Sequence, residues 1–246
     1  MYITTRNNYT KITKDIYLIK VLQNTEDTMY SLDVIPYTIN IEFTLVPEDN
    51  FKESDVSFYH SLNYHKMNFM LEAVFDNALV FDPGGANFVL KNCMDVDNPL
   101  VFVPNTGDAA LNIVLHAKFK AITQHCYIGN VELVDLRTKT SYTYTDDELD
   151  YEFLPSMDTM IDGIKFNEIP WWFRDDISTY DGSAKDQEEY DNFMANHFED
   201  TQYHVREPFD KIEEKVKSIL NPGTKDTGEI INLDEYKKKT WKPKIV

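Results

Sequence analysis

Within residues 38–46 (TINIEFTLV), Ile39, Ile41, Phe43 and Leu45 occupy every second position. A period of two places all four on one side of an extended chain, so this stretch is a strand with one face against a core. Such a face needs further layers to cover it, and the surrounding sequence supplies them. Residues 15–22 (DIYLIKVL) carry the same β-branched and aromatic bias. From 57 to 76, Leu62, Met67, Met70, Leu71 and Val74 recur at helical spacing, with Asn63, Lys66, Asn68 and Glu72 between them. Short apolar runs at 78–81 and 100–103 read as strands, and Asp82-Pro83-Gly84-Gly85 as a turn followed by an apolar, strand-like run. After the break at 104–107, Asp108 is placed to cap a second helix. In that helix Leu111, Val114, Leu115, Lys118 and Ile122 share a stripe, with His116 and Lys120 toward its polar side. Residues 127–136 and 140–145 then pair as a hairpin across Arg137-Thr138-Lys139. The order predicts an α+β domain over residues 1–145: a mixed sheet with two helices packed on one face.

At residue 145 the composition changes. Of the net charge of −18, residues 1–145 hold 17 acids against 11 bases, 146–214 hold 21 against 5, and 215–246 hold 4 against 8. The middle stretch is acidic and aromatic and poor in β-branched residues. Its helical signals lie at 185–198, with Ser183 and Gln187 as a cap, and from Pro208 onward, where Phe209, Ile212, Val216 and Ile219 align. The expected organisation is therefore an α+β domain at 1–145, an acidic aromatic segment with two helices at 146–220, and a basic, loosely held tail at 221–246. Two cysteines, no secretory leader and no span-length apolar run predict a protein of the reducing cell interior with no membrane contact.

The chain carries no complete catalytic motif. Phosphate loops need several glycines at fixed spacing before a helix, and Gly84-Gly85 alone does not supply them. A zinc site needs three or four spaced ligands. The nearest approach is His197, Asp200 and His204 beside Glu199, whose spacing fits no established pattern, while His60 and His65 stand five apart, wrong for shared ligation on a helix. Glu213 to Lys215 forms a Glu-x-Lys in mid-helix rather than at a strand end, and Cys126 beside His125 is adjacency in sequence only. No cofactor, metal or catalytic residue is expected, and the protein is expected not to be an enzyme. The most unusual stretch is Trp171, Trp172, Phe173, Arg174, Asp175 and Asp176. Trp and Arg dominate interface hot spots, so these six are the candidate partner-binding residues; the competing reading docks them on the first domain as an anchor.

Residues 68–77 (NFMLEAVFDN), 115–122 (LHAKFKAI) and 170–179 (PWWFRDDIST) resemble stretches of uncharacterised proteins encoded by large tailed bacteriophages. The resemblance rests on these short stretches, implies a phage origin and a location in the host cytoplasm or the virion, and supplies no mechanism. Together these features predict a non-enzymatic interaction or assembly protein, such as a virion component, that binds a protein partner or itself. The alternative is an acidic regulator that mimics nucleic acid toward a basic host protein. In either case the charge disfavours direct nucleic-acid binding.

Overall fold

The computed structural model describes residues 9–23, 29–93, 97–145, 154, 160–161, 164–165, 170–180 and 206–220. Strands β1 (Thr10–Gln23) and β2 (Tyr30–Leu45) form a long antiparallel hairpin, in register from Thr10 opposite Phe43 to Gln23 opposite Tyr30. Both strands outrun their apolar stretches, because outward positions such as Lys11, Thr13 and Asp15 need no hydrophobic residue to pair in the ladder. Helix α1 (Glu53–Phe69) continues through a π-helical turn at Met70–Phe75 into β3 (Ala78–Phe81). Then come α2 (Pro83–Asn92), β4 (Leu100–Phe102), α3 (Asp108–Ile122), β5 (Cys126–Asp135) and β6 (Ser141–Thr145). A two-residue ladder, β7 (Met160–Ile161) with β8 (Ile164–Lys165), a 3-10 turn at Trp171–Phe173 and helix α4 (Glu207–Leu220) complete the described elements.

The six main strands form one mixed sheet in the order β4-β3-β1-β2-β5-β6. The β4, β3 and β1 strands run parallel to one another, and β1, β2, β5 and β6 are successively antiparallel. On the inner face, Ile16, Leu18, Ile35, Tyr37, Ile39 and Ile41 are buried beneath α1 and α3. The fold is α+β, with two helices on one face as expected.

The stretch at 82–92 is not a turn leading into a strand. It is a helix, α2: Asp82 adopts the extended cap conformation and its Oδ1 accepts the Gly85 amide at 3.2 Å, with Pro83 at the first helical position. Two glycines in the first turn hid it, since their helix propensity is low. Their smallness serves packing. A Cβ on Gly85 would stand 3.2 Å from Val21 Cγ1, on the sheet face opposite α1 and α3, so α2 lies close against β1 on that outer face.

Several polar residues expected on helix surfaces are inside. His116 is fully buried, with its ring edge-on to Tyr144 and Nε2 3.3 Å from the Ile128 carbonyl. Asn63 exchanges both amide contacts with Gln124, donating to its carbonyl at 2.8 Å and accepting its N–H at 3.0 Å. Lys66 donates to the Ile122 carbonyl at 3.2 Å, capping the end of α3. Helix α3 is covered on more than one side and α1 meets its C-terminus, which a single-helix pattern does not foresee. Asp108 is the first residue of α3 and not its cap, a position that Gly107 takes. The helix expected at 185–198 and the tail expected at 221–246 lie outside the described residues, as do His197, Glu199, Asp200 and His204. No helix among the described residues is long and apolar enough to cross a membrane.

Candidate functional site

The six residues expected at a partner surface belong to an irregular strap, residues 170–180, laid along the free edge of β4. Trp171 Nε1 donates to the Phe102 carbonyl at 2.9 Å, the Phe102 N–H donates to Thr179 O at 2.9 Å, and Thr179 Oγ1 donates to Leu100 O at 2.6 Å. An open strand edge is thereby satisfied. Trp171, Trp172 and Asp176 are fully buried, and Arg174 nearly so. Beneath them Lys118, also fully buried, donates to the carbonyls of Trp171 at 2.9 Å and Arg174 at 3.0 Å and stands 3.6 Å from Asp176 Oδ1. Burial works to raise the Asp176 pKa. Lys118 and the Ser178 amide and hydroxyl outweigh it, so the carboxyl is held below the usual carboxylate range. Only Phe173 and Asp175 reach the surface, and Asp175 is bound by Arg206, at the foot of α4, at 2.6 Å. Trp171, Trp172, Arg174 and Asp176 thus act as an internal anchor, the competing reading of this stretch.

A second polar cluster lies beyond the carboxyl ends of the parallel strands, where open α/β sheets commonly place ligands. Lys20 at the end of β1 donates to Thr106 O at 2.6 Å and to the Asp108 carboxylate, which also accepts the Tyr37 hydroxyl at 2.5 Å. Burial, and then the bond to Asp108, raise the Tyr37 pKa, so its hydroxyl remains a donor. Asp82 joins through Thr106 Oγ1 at 3.4 Å. The heads are spent on one another: the cluster ties the β3–α2 and β4–α3 loops to the hairpin.

The remaining chemical candidates are similarly engaged. His60 contacts Thr10 Oγ1 at 2.7 Å and packs on Phe43. His125 is edge-on to Phe51 and Tyr59, with Nδ1 3.2 Å from Glu48 Oε1. The neighbouring Cys126 thiol is pushed up to about 12 by burial, which makes it a poor nucleophile. Glu213 and Lys215 lie on α4, where Glu213 pairs with Lys217 at 2.6 Å. Among the described residues no group of three or more His, Cys, Asp and Glu side chains is arranged to hold a metal ion.

The surface feature without an internal explanation is the outer face of the β1–β2 hairpin. Its far end is polar: Thr13 donates to Asn40 at 2.7 Å, Asn40 to Glu132 at 2.9 Å, Ser141 to Glu132 at 2.6 Å, and Thr38 to Asp15 at 2.6 Å. Nearer α2 the same face turns apolar. Tyr17, Leu32 and Val34 are 53%, 52% and 54% exposed there, with Ile19 opposite Val34 and Tyr17 opposite Pro36. Tyr30, stacked on Phe88 of α2 at 4.8 Å, borders the patch, and Met29 beside it is also exposed. Sequence reasoning passed over these residues, although the signal was present. In residues 16–19 (IYLI) both parities are apolar, so one set faces the core and the other needs a cover or a partner.

No family model matches the sequence, and no curated protein matches it. Among solved structures, the crystal structure of uncharacterized protein WS1659 from Wolinella succinogenes is similar over 56% of this chain and 98% of that chain, at 13% identity and a TM-score of 0.35.

Proposed function

We propose that this protein is a non-enzymatic assembly protein that associates through the outer face of the β1–β2 hairpin with a second copy of itself. The observation that carries the reading is the exposure of Tyr17, Leu32 and Val34 on one uncovered sheet face, continuous with a polar ladder. An apolar centre bordered by polar groups is the usual anatomy of a contact surface. The patch residues Tyr17, Ile19, Leu32, Val34 and Pro36 carry no charge. Two copies related by a twofold axis therefore bring no like charges into opposition at its centre, despite the net charge of −18. The engaged state of the polar clusters also suits a protein that works by contact. The reading does not depend on a phage origin. The acidic-mimic alternative gains no support from the strap, where Asp176 faces inward.

Sedimentation velocity over a range of concentrations tests it. The expected result is a concentration-dependent dimer that the Leu32→Lys, Val34→Lys double variant abolishes without changing its circular dichroism. A wild-type protein that stays monomeric throughout, or a variant that dimerises equally well, would exclude this face.

A further inference from the structure

The main sheet has two edges, and the fold treats them differently. The β4 edge is closed by the strap, whereas β6 ends the sheet on the other side, with no further strand against it among the described residues. The turn before β6 fixes which of its backbone groups are spare. Lys139, at φ 61°, donates to the Asp135 carbonyl at 2.8 Å, and the Asp135 amide donates to Thr140 O at 3.0 Å. Asp135 and Thr140 are therefore a hydrogen-bonded pair. Such pairs alternate along an antiparallel ladder, so Leu133 with Tyr142 and Val131 with Tyr144 bond in turn. The amides and carbonyls of Ser141, Thr143 and Thr145 point away from β5. The side chains follow the same parity: Tyr144 is buried against His116, while Ser141 and Thr143 are exposed on the outer face. Strands left open at an edge usually carry a lysine, a proline or a bulge that discourages pairing. Residues 141–145 (SYTYT) carry none of these and no charge, and tyrosine and threonine both favour strands.

We propose that β6 is a second contact surface, at which it pairs antiparallel with β6 of another copy of this chain. With a twofold axis at Thr143, that residue meets its counterpart and Ser141 meets Thr145, giving about six backbone hydrogen bonds and a row of Ser–Thr and Thr–Thr neighbours. Charge favours a second copy as the occupant. In sequence Lys139 precedes β6 and Asp146 and Asp147 follow it, so antiparallel pairing sets the basic end of each strand toward the acidic end of the other. Glu132, opposite Thr143 on β5, stands three strand spacings from its counterpart, about 14 Å, beyond the Debye length of about 8 Å at physiological salt. Five residues bury far less than the roughly 1,200 Å² of a stable interface, so the contact is weak, with a Kd on the order of 1 mM. Local concentrations within an assembly held by the hairpin face reach that range. The inference itself is independent of the hairpin face and is tested with that face disabled.

Backbone amide NMR of the Leu32→Lys, Val34→Lys variant of the full chain, recorded from about 0.05 to about 2 mM, isolates this contact. The Ser141, Thr143 and Thr145 amides are expected to shift saturably with concentration, by more than those of Tyr142 and Tyr144, which already bond to β5. Thr143→Pro in that background removes an N–H that β5 does not use, so the shifts should vanish with the rest of the spectrum unchanged. Thr143→Lys, which keeps the amide, should weaken pairing about threefold by opposing two ammonium groups. Amides of β6 that do not respond to concentration, or a response that persists unaltered in both Thr143 variants, would overturn the inference. A wild-type protein that stays monomeric in sedimentation, beside β6 amides that respond as expected, would exclude the hairpin face and uphold the β6 edge.

Discussion

Lys118 stands in the middle of α3 with its ammonium group surrounded by the carbonyls of Trp171 and Arg174 and the carboxylate of Asp176, all in the strap. A buried ammonium group is tolerated only with such a shell, and removing one member leaves the others uncompensated. Lys118→Met should therefore lower stability by about 3 kcal/mol in urea denaturation, because it strands the buried carboxylate. Adding Asp176→Asn should restore part of that loss, and a double variant weaker than Lys118→Met would contradict the pairing. The same pair gives a pH dependence. The folded-state pKa of Asp176 is lowered, as is that of Asp135, where burial is outweighed by the Arg137 and Thr138 amides and the Arg137 charge. Their contribution is fully present above the unfolded carboxylate pKa, about 4, and is lost as pH falls through the lower folded values. The thermal midpoint should hold above about pH 5 and fall below about pH 4, less steeply in the Lys118→Met, Asp176→Asn variant. Equal slopes would mean that Asp176 is not part of the acid response.

At the scale of elements, α2 is the helix that local propensity opposed and tertiary packing imposed. Asp82 links two tasks, capping the Gly85 amide and receiving the Thr106 hydroxyl from the following loop. Asp82→Ala should cost about 1 kcal/mol, read from the urea midpoint, with the sheet retained. An effect within error would show that Pro83 and the contact with Val21 hold the helix start unaided. The long hairpin shows the converse. Its inner face was legible from residue alternation because Ile39, Ile41 and Phe43 must be buried. Its outer face was not, since exposure there depends on how far α2 extends across the sheet.

For the whole molecule, the strap and α4 are built into the first half. Trp171, Trp172, Phe209, Ile212 and Val216 share one continuous core with the sheet and α1. Arg206 and Asp175 join α4 to the strap. Trp171→Ala should thus destabilise the protein by about 3–5 kcal/mol while leaving self-association of the surviving folded fraction unchanged. The lysine pair placed on Leu32 and Val34 should do the reverse. Urea melts and sedimentation on both variants check the separation, and loss of association in folded Trp171→Ala would return the tryptophans to the interface.

The sequence by itself determined the α+β class, the succession of the six main strands along the chain, and helices α1, α3 and α4. Period-two and helical patterns are local, and residues such as Ile39 or Leu111 report their own burial. Tertiary structure alone decided that His116, Asn63 and Lys66 go inside, and what Lys118, which stands on the apolar stripe of α3, finds there. The acceptors of these four lie 12 to 61 residues away along the chain. Only the packing of α3 between the sheet, α1 and the strap brings those carbonyls within reach. The candidate sites divide in the same way. The tryptophan cluster was conspicuous in sequence, yet it faces inward because an open β4 edge and a buried lysine needed it. The apolar hairpin face exists only where separate elements leave a surface uncovered.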